Sequence, residues 1–141
     1  MLLAGDIGGT KTSLGIFSAE GGPRNPVAQA TFPSARYPSL EALVAEFLHN
    51  VVLPVTCASF GVAGPVIEGR ADITNLPWNM EESQLAHALN IPRVRLLNDL
   101  VAIAHGIPQL NSGDLYTINT GNPVRHGHPP RERLCSGRRP T

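Results

Sequence analysis

Two short polar stretches of this 141-residue chain hold the residue types that phosphoryl chemistry uses: Gly5-Asp6-Ile7-Gly8-Gly9-Thr10-Lys11-Thr12 near the start, and Asn98-Asp99 further along. In the first, Gly8 and Gly9 lack a Cβ and can take positive φ, so the N–H groups of their turn can approach an anion closely. Thr10 and Lys11 add a hydroxyl and an ammonium, and Asp6 places a carboxylate where a water-hydrated Mg²⁺ could sit. The set suits a nucleotide phosphate with its metal. The spacing fits neither a Walker A loop nor a Rossmann Gly-x-Gly-x-x-Gly, so a hairpin-type phosphate loop is the better description. For Gly8-Gly9 taken alone, an ordinary Gly-Gly hairpin with polar neighbours is the better reading. Asp6 resists that reading, because a carboxylate near the end of a buried first strand is costly without a partner or a task.

Asn98-Asp99 follows the apolar run Val94-Arg95-Leu96-Leu97 and precedes a helical period through Leu100, Ile103, Ala104 and Ile107. At a helix N-terminus a carboxylate is favoured over the neutral acid, and an ionised Asp99 can accept a hydroxyl's hydrogen bond and then its proton. Asn98 offers a donor and an acceptor to a polyol. The competing reading is that one of the two merely caps the helix.

The elements that must position these residues follow from the pattern. Leu2-Leu3-Ala4 and Ser13 to Phe17 read as strands joined by the Gly-Gly hairpin, and Val27 to Phe32 as a third strand after the Gly21 to Pro26 turn cluster. Ser39 reads as the N-cap of a helix whose Leu40, Leu43, Val44, Phe47, Leu48 and Val51 share one face. Cys57 to Ala63, closed by Gly64-Pro65, reads as a buried parallel strand, with Cys57 a small core residue. A small hairpin about Glu68-Gly69-Arg70 then leads to the loop Thr74-Asn75-Leu76-Pro77-Trp78. Asn79 reads as the start of a second helix, with Glu82 as its capping-box partner, and Leu115 to Asn119 as a final strand. The order gives an α/β fold with a mixed sheet, in which the Gly8-Gly9 turn, the Gly64-Pro65 turn and Asn98-Asp99 can share the carboxyl edge of the strands.

Net charge is zero, but residues 1–123 hold six Lys+Arg against ten Asp+Glu, while 124–141 hold five Arg against one Glu. With no basic stripe in the body, nucleic acid is not the expected partner. The chain shows neither a charged apolar leader nor an apolar run of spanning length, so no membrane is expected and the cytoplasm is the expected compartment. Cys57 and Cys135 lack metal-ligand spacing and suit reduced thiols. His49, His87 and His105 suit surface positions, and His126 and His128 have no third ligand.

Four segments, Gly5-Asp6-Ile7-Gly8-Gly9-Thr10, Gly61-Val62-Ala63-Gly64-Pro65-Val66, Thr74-Asn75-Leu76-Pro77-Trp78 and Leu96-Leu97-Asn98-Asp99-Leu100-Val101-Ala102, resemble in order and spacing the N-terminal domain of bacterial glucokinase. The resemblance covers residues 1 to about 123. It implies an actin-like ATPase (ribonuclease H-like) domain, the N-terminal half of a two-domain sugar kinase that uses ATP and Mg²⁺ to phosphorylate the 6-hydroxyl of glucose or a similar hexose. By that resemblance Asp99 is the catalytic base, Asn98, Asp99 and Asn75 face the sugar, and Gly5, Asp6, Ile7, Gly8, Gly9 and Thr10 face the nucleotide, with Asp6 reaching the metal through water. Asn75 as a turn stabiliser stays equally open. Trp78 reads as a packing anchor, and Lys11 has no assigned role. A homodimer is open for the full-length family.

From Val124 onward the periodicity stops, and the Arg-, Pro-, Gly- and His-rich stretch to Thr141 reads as a disordered basic tail. The family's second phosphate loop and adenosine pocket have no counterpart here. The change of composition points to translation in a wrong frame or a premature end of the gene, testable in the other two frames beyond the Val124 codon. A genuine basic extension toward an acidic partner is the rival. Three functions are therefore weighed: the kinase; a non-catalytic sugar- or phosphate-binding fragment; and a sugar-responsive repressor, which needs a DNA-binding segment ahead of the first strand.

Overall fold

Alternation of apolar and polar residues sets the central sheet. In the computed structural model, which describes residues 1–73 and 75–118, β1 (Leu2–Ile7) buries Leu3 and Ile7, and β2 (Lys11–Phe17) buries Leu14 and Ile16. With β3 (Ala28–Pro33) they form the expected antiparallel meander. β4 (Cys57–Val62) then adds parallel to β1, and β8 (Arg93–Asn98) parallel to β4, so the five-stranded sheet runs β3-β2-β1-β4-β8. Ile7, Val62 and Asn98 are in register, which brings the carboxyl ends of the three parallel strands to one edge.

α1 (Leu40–Asn50) begins where Ser39 Oγ accepts from Ala42 N at 3.3 Å, and it buries Leu40, Leu43, Val44 and Phe47. Each such side chain contributes about 1.5–3 kcal/mol on leaving water. Phe47 meets Phe32 edge-on at 6.2 Å, tying α1 to β3. Trp78 is buried and donates from Nε1 to Tyr37 O at 3.0 Å, the anchoring its position promised. Desolvation and the Glu46 carboxylate, which accepts from the Tyr37 hydroxyl, raise the Tyr37 pKa above the usual tyrosine value.

β5 (Val66–Ile67) and β6 (Arg70–Asp72) form the expected small hairpin. Glu68 (φ 50°) and Gly69 (φ 74°) are both left-handed, as a two-residue turn of that hand requires. A third strand, β7 (Asn79–Glu81), pairs with β6. Here the expected helix start is corrected: Asn79 pairs with Asp72 as a strand residue, and α2 (Glu82–Leu89) begins three residues later. Glu82 closes no capping box, because its carboxylate accepts from Leu96 N at 2.9 Å and pairs with Arg95 at 3.2 Å.

α3 (Asp99–Gly106) lies on the other face of the sheet, where a Cβ on Gly61 would come within 3.3 Å of Ala102 Cβ. The expected final strand is also corrected: residues 115–118 form no strand and Leu115, Tyr116 and Ile118 are exposed, because apolar residues become a strand only against a ladder partner. Asn119 and the whole 124–141 stretch lie outside the described residues, as does Cys135. Cys57 is half-buried rather than core, on the α3 side of β4, and His49, His87 and His105 are exposed. The chain divides into two units, Met1–Gln109 and Leu110–Thr141.

Candidate functional site

The loop between β1 and β2 is three residues, Gly8-Gly9-Thr10, closed by Gly8 N donating to Lys11 O at 3.1 Å. Neither Gly8 nor Gly9 takes a positive φ; the positive-φ glycines among the described residues are Gly22 and Gly69. Space explains Gly8 instead, since a Cβ there would lie 2.9 Å from Lys11 O. Ser34 holds the loop from the end of β3: its Oγ donates to Gly8 O at 2.7 Å and its N–H to Thr10 O at 3.1 Å. Thr12 Oγ1 lies 3.0 Å from Ser34 Oγ, and both residues are fully buried. Among the described residues, the N–H groups of Gly9 and Thr10 have no acceptor.

Asp6 is exposed, so the expected desolvation cost does not arise, and its carboxylate has no hydrogen bond or ion pair among the described residues. Its register partner on β4 is Gly61, whose missing side chain faces α3. Because side chains across paired residues share a face, Asp6 stands on the face that carries α3. Gly5 and Ile7 belong to the opposite face: Ile7 is buried, and a Cβ on Gly5 would lie 2.7 Å from Phe60 Cδ1.

Asn98 caps α3, its Oδ1 accepting from Leu100 N at 3.1 Å and Val101 N at 3.3 Å. Its Nδ2 donates to Gly64 O at 2.8 Å and to Asp99 Oδ1 at 3.0 Å, which engages all the hydrogen-bonding capacity of the amide. Asp99 Oδ1 also accepts from Leu100 N at 2.9 Å, leaving Oδ2 without a partner among the described residues. A half-buried carboxylate is thus fixed by one oxygen and open at the other.

The edge gathers most of the expected residues. Ala63 N donates to Ile7 O at 3.1 Å, joining the β4 turn to the end of β1, and a Cβ on Gly9 would lie 3.5 Å from Asn75 Cβ. The β1–β2 loop, Asp6, Asn75, the Gly64 turn and Asn98-Asp99 therefore share the carboxyl edge of the parallel strands. Gly5 and Ile7 point away from it into the core, and Lys11 is exposed. Ser34 escaped the sequence reading, since a serine after Pro33 signals only a turn and nothing local marks it as a partner of the loop.

The glucokinase family model matches residues 3–133. The chain is 37% identical over 125 residues to the glucokinase of Nostoc punctiforme, covering 87% of this chain and 37% of that protein. It is 38% identical over 133 residues to the glucokinase of a Synechocystis species, covering 86% and 37%. Among solved structures, a glucokinase from an Antarctic psychrotroph superposes with a TM-score of 0.71 at 31% identity, over 79% of this chain and 36% of that one. A ROK family glucokinase from Streptomyces griseus, in complex with glucose and AMPPNP, has a TM-score of 0.58 at 24% identity over 79% and 37%, a likeness of fold. The chain spans a little over a third of the length of the relatives it matches. The mixed sheet is that of the actin-like ATPase fold, as the motifs implied.

Proposed function

This chain belongs to the glucokinase family, and we propose that it supplies the N-terminal side of a cytoplasmic site transferring the ATP γ-phosphoryl group to the 6-hydroxyl of glucose. The observation that carries the reading is the free Oδ2 of Asp99 on the strand edge that also bears the open amides of Gly9 and Thr10. In this reading Asp99 accepts the hydroxyl proton as the sugar oxygen forms its bond to the γ-phosphorus and the bond to ADP breaks. Gly8, Gly9 and Thr10 receive phosphate oxygens, with Gly5 and Ile7 supporting them from the core. Asn75 and Asn98 face the sugar, and Asn98 reaches it only by exchanging one of its four internal bonds.

Among the described residues no three of His, Cys, Asp or Glu cluster as metal ligands, and Asp6 offers one unpaired carboxylate. That donor set fits a hydrated Mg²⁺ held through water and nucleotide phosphates rather than by a protein cage. When bound there, the ion would neutralise charge on the phosphates. Residues 1–123 form the domain in this reading and 124–141 a basic tail.

A second reading, a sugar- or phosphate-binding module without turnover, is favoured by the share of the relatives that the chain spans. Half of a cleft retains contacts but does not exclude water. A coupled assay and calorimetry on the 141-residue chain separate the two. We expect weak glucose binding that Asp99→Ala diminishes, and no measurable turnover. Turnover that disappears in Asp99→Ala supports catalysis by the chain itself, and glucose heat that is absent, or unchanged by Asp99→Ala, overturns the sugar assignment.

A further inference from the structure

We propose that Thr12 and Ser34 are positioning residues for the phosphate-binding loop: their linked hydroxyls hold the Gly8–Gly9 peptide with its carbonyl inward, so that the Gly9 N–H is presented outward to a phosphate oxygen. The role rests on the nucleotide reading above and adds to it two residues that touch neither nucleotide nor sugar.

Thr12 and Ser34 are the two polar residues buried among the described ones, both without solvent exposure. Burying a hydroxyl is unfavourable unless it is hydrogen-bonded. The direction of the chain of bonds is fixed by counting hydrogens. Ser34 gives its single hydroxyl hydrogen to Gly8 O at 2.7 Å, so the contact with Thr12 at 3.0 Å has Thr12 as donor. The order is Thr12 Oγ1–H to Ser34 Oγ–H to Gly8 O, and each bond polarises the next in the same sense. Ser34 also gives its backbone N–H to Thr10 O at 3.1 Å. Two of the three loop carbonyls are thereby turned toward the end of β3.

The peptide unit is planar and trans, so its carbonyl and its N–H point in opposite directions. Fixing Gly8 O inward therefore directs Gly9 N–H outward, and that N–H has no acceptor among the described residues. Gly9 lies beside Asn75, where an added Cβ would stand 3.5 Å from Asn75 Cβ, an ordinary van der Waals contact. Without the two hydroxyls the loop gains the freedom to turn Gly8 O outward, which places a repulsive partial charge where the phosphate should sit.

The test is a titration of the ¹⁵N-labelled 141-residue chain with Mg·AMPPNP, following the amides of Gly9 and Thr10 in the unsubstituted chain, Ser34→Ala, Thr12→Val and Thr12→Ser. The role predicts a graded series: nucleotide affinity weakened by about tenfold in Ser34→Ala, less in Thr12→Val, which keeps the Ser34 donor, and restored to within about twofold in Thr12→Ser. The Phe47 and Leu96 amides report the fold, and if Ser34→Ala does not fold the two Thr12 variants decide. Binding to the unsubstituted chain with equal affinity in Ser34→Ala and Thr12→Val overturns the positioning role and leaves the nucleotide reading standing. Absence of any response at Gly9 and Thr10 in the unsubstituted chain overturns the nucleotide reading, and this role with it.

Discussion

Gly5 stands inside the glycine-rich motif, yet its reason for being glycine lies on the other side of the sheet. A Cβ there would meet Phe60 Cδ1 at 2.7 Å, Leu14 Cδ2 at 2.9 Å and Ile7 Cδ1 at 3.1 Å, all in a close-packed core. Gly5→Ala should therefore destabilise the chain by about 1–3 kcal/mol, the usual penalty of overpacking, read as a lower urea midpoint at unchanged slope; an unaltered midpoint would show that Phe60 yields freely. Asn98 makes the complementary case. Asn98→Ala removes the acceptor for Leu100 N and Val101 N and the link to Gly64 O. A loss of about 0.5–2 kcal/mol is expected, with hydrogen-exchange protection falling first at Leu100 and Val101. Residue types and spacing were enough to find both motifs. They could not divide Gly5 from Gly8, because which face a strand residue takes depends on register with β4, and they could not find Ser34, whose partner lies 26 positions away.

At the scale of elements, α1 was legible because one apolar stripe and one Ser cap specify it locally. α2 was not, because Glu82 had two possible uses and tertiary structure decided between them. Its carboxylate takes the Leu96 N–H on the outer edge of β8, a donor that an added strand would otherwise use. Glu82→Ala leaves that half-buried amide without its acceptor and should cost about 1–3 kcal/mol, seen by chemical denaturation. Arg95 pairs with the same carboxylate but is 77% exposed, so Arg95→Ala should change stability by less than about 1 kcal/mol. Equal effects of the two substitutions would mean that the ion pair, and not the edge amide, is what Glu82 contributes. Of the expected final strand, the described residues 115–118 failed for the converse reason: pattern supplies a strand's side chains but not its ladder partner.

For the whole molecule, the distribution of burial separates folding from association. Every buried hydrophobic residue among those described lies between Leu3 and Leu96, within the unit Met1–Gln109. A chain ending at Gln109 should therefore unfold cooperatively with an unfolding free energy within about 1 kcal/mol of that of the 141-residue chain, a margin typical of changes outside a core. Loss of a cooperative transition would place part of the stability beyond that residue. The same shortened chain retains α3, which buries none of its residues and exposes Leu100 at 70%, Val101 at 45% and Ile103 at 63%. Contiguous apolar exposure of this kind favours self-association in water. Both chain lengths should accordingly sediment as concentration-dependent mixtures, and Ile103→Glu, which puts a charge on an already exposed position, should shift each toward monomer while leaving the unfolding midpoint nearly unchanged. If Ile103→Glu lowers the midpoint as much as a core substitution does, then α3 is packed more tightly on the sheet than its Gly61–Ala102 contact implies; if association persists at full strength, the apolar face of α3 is not its cause.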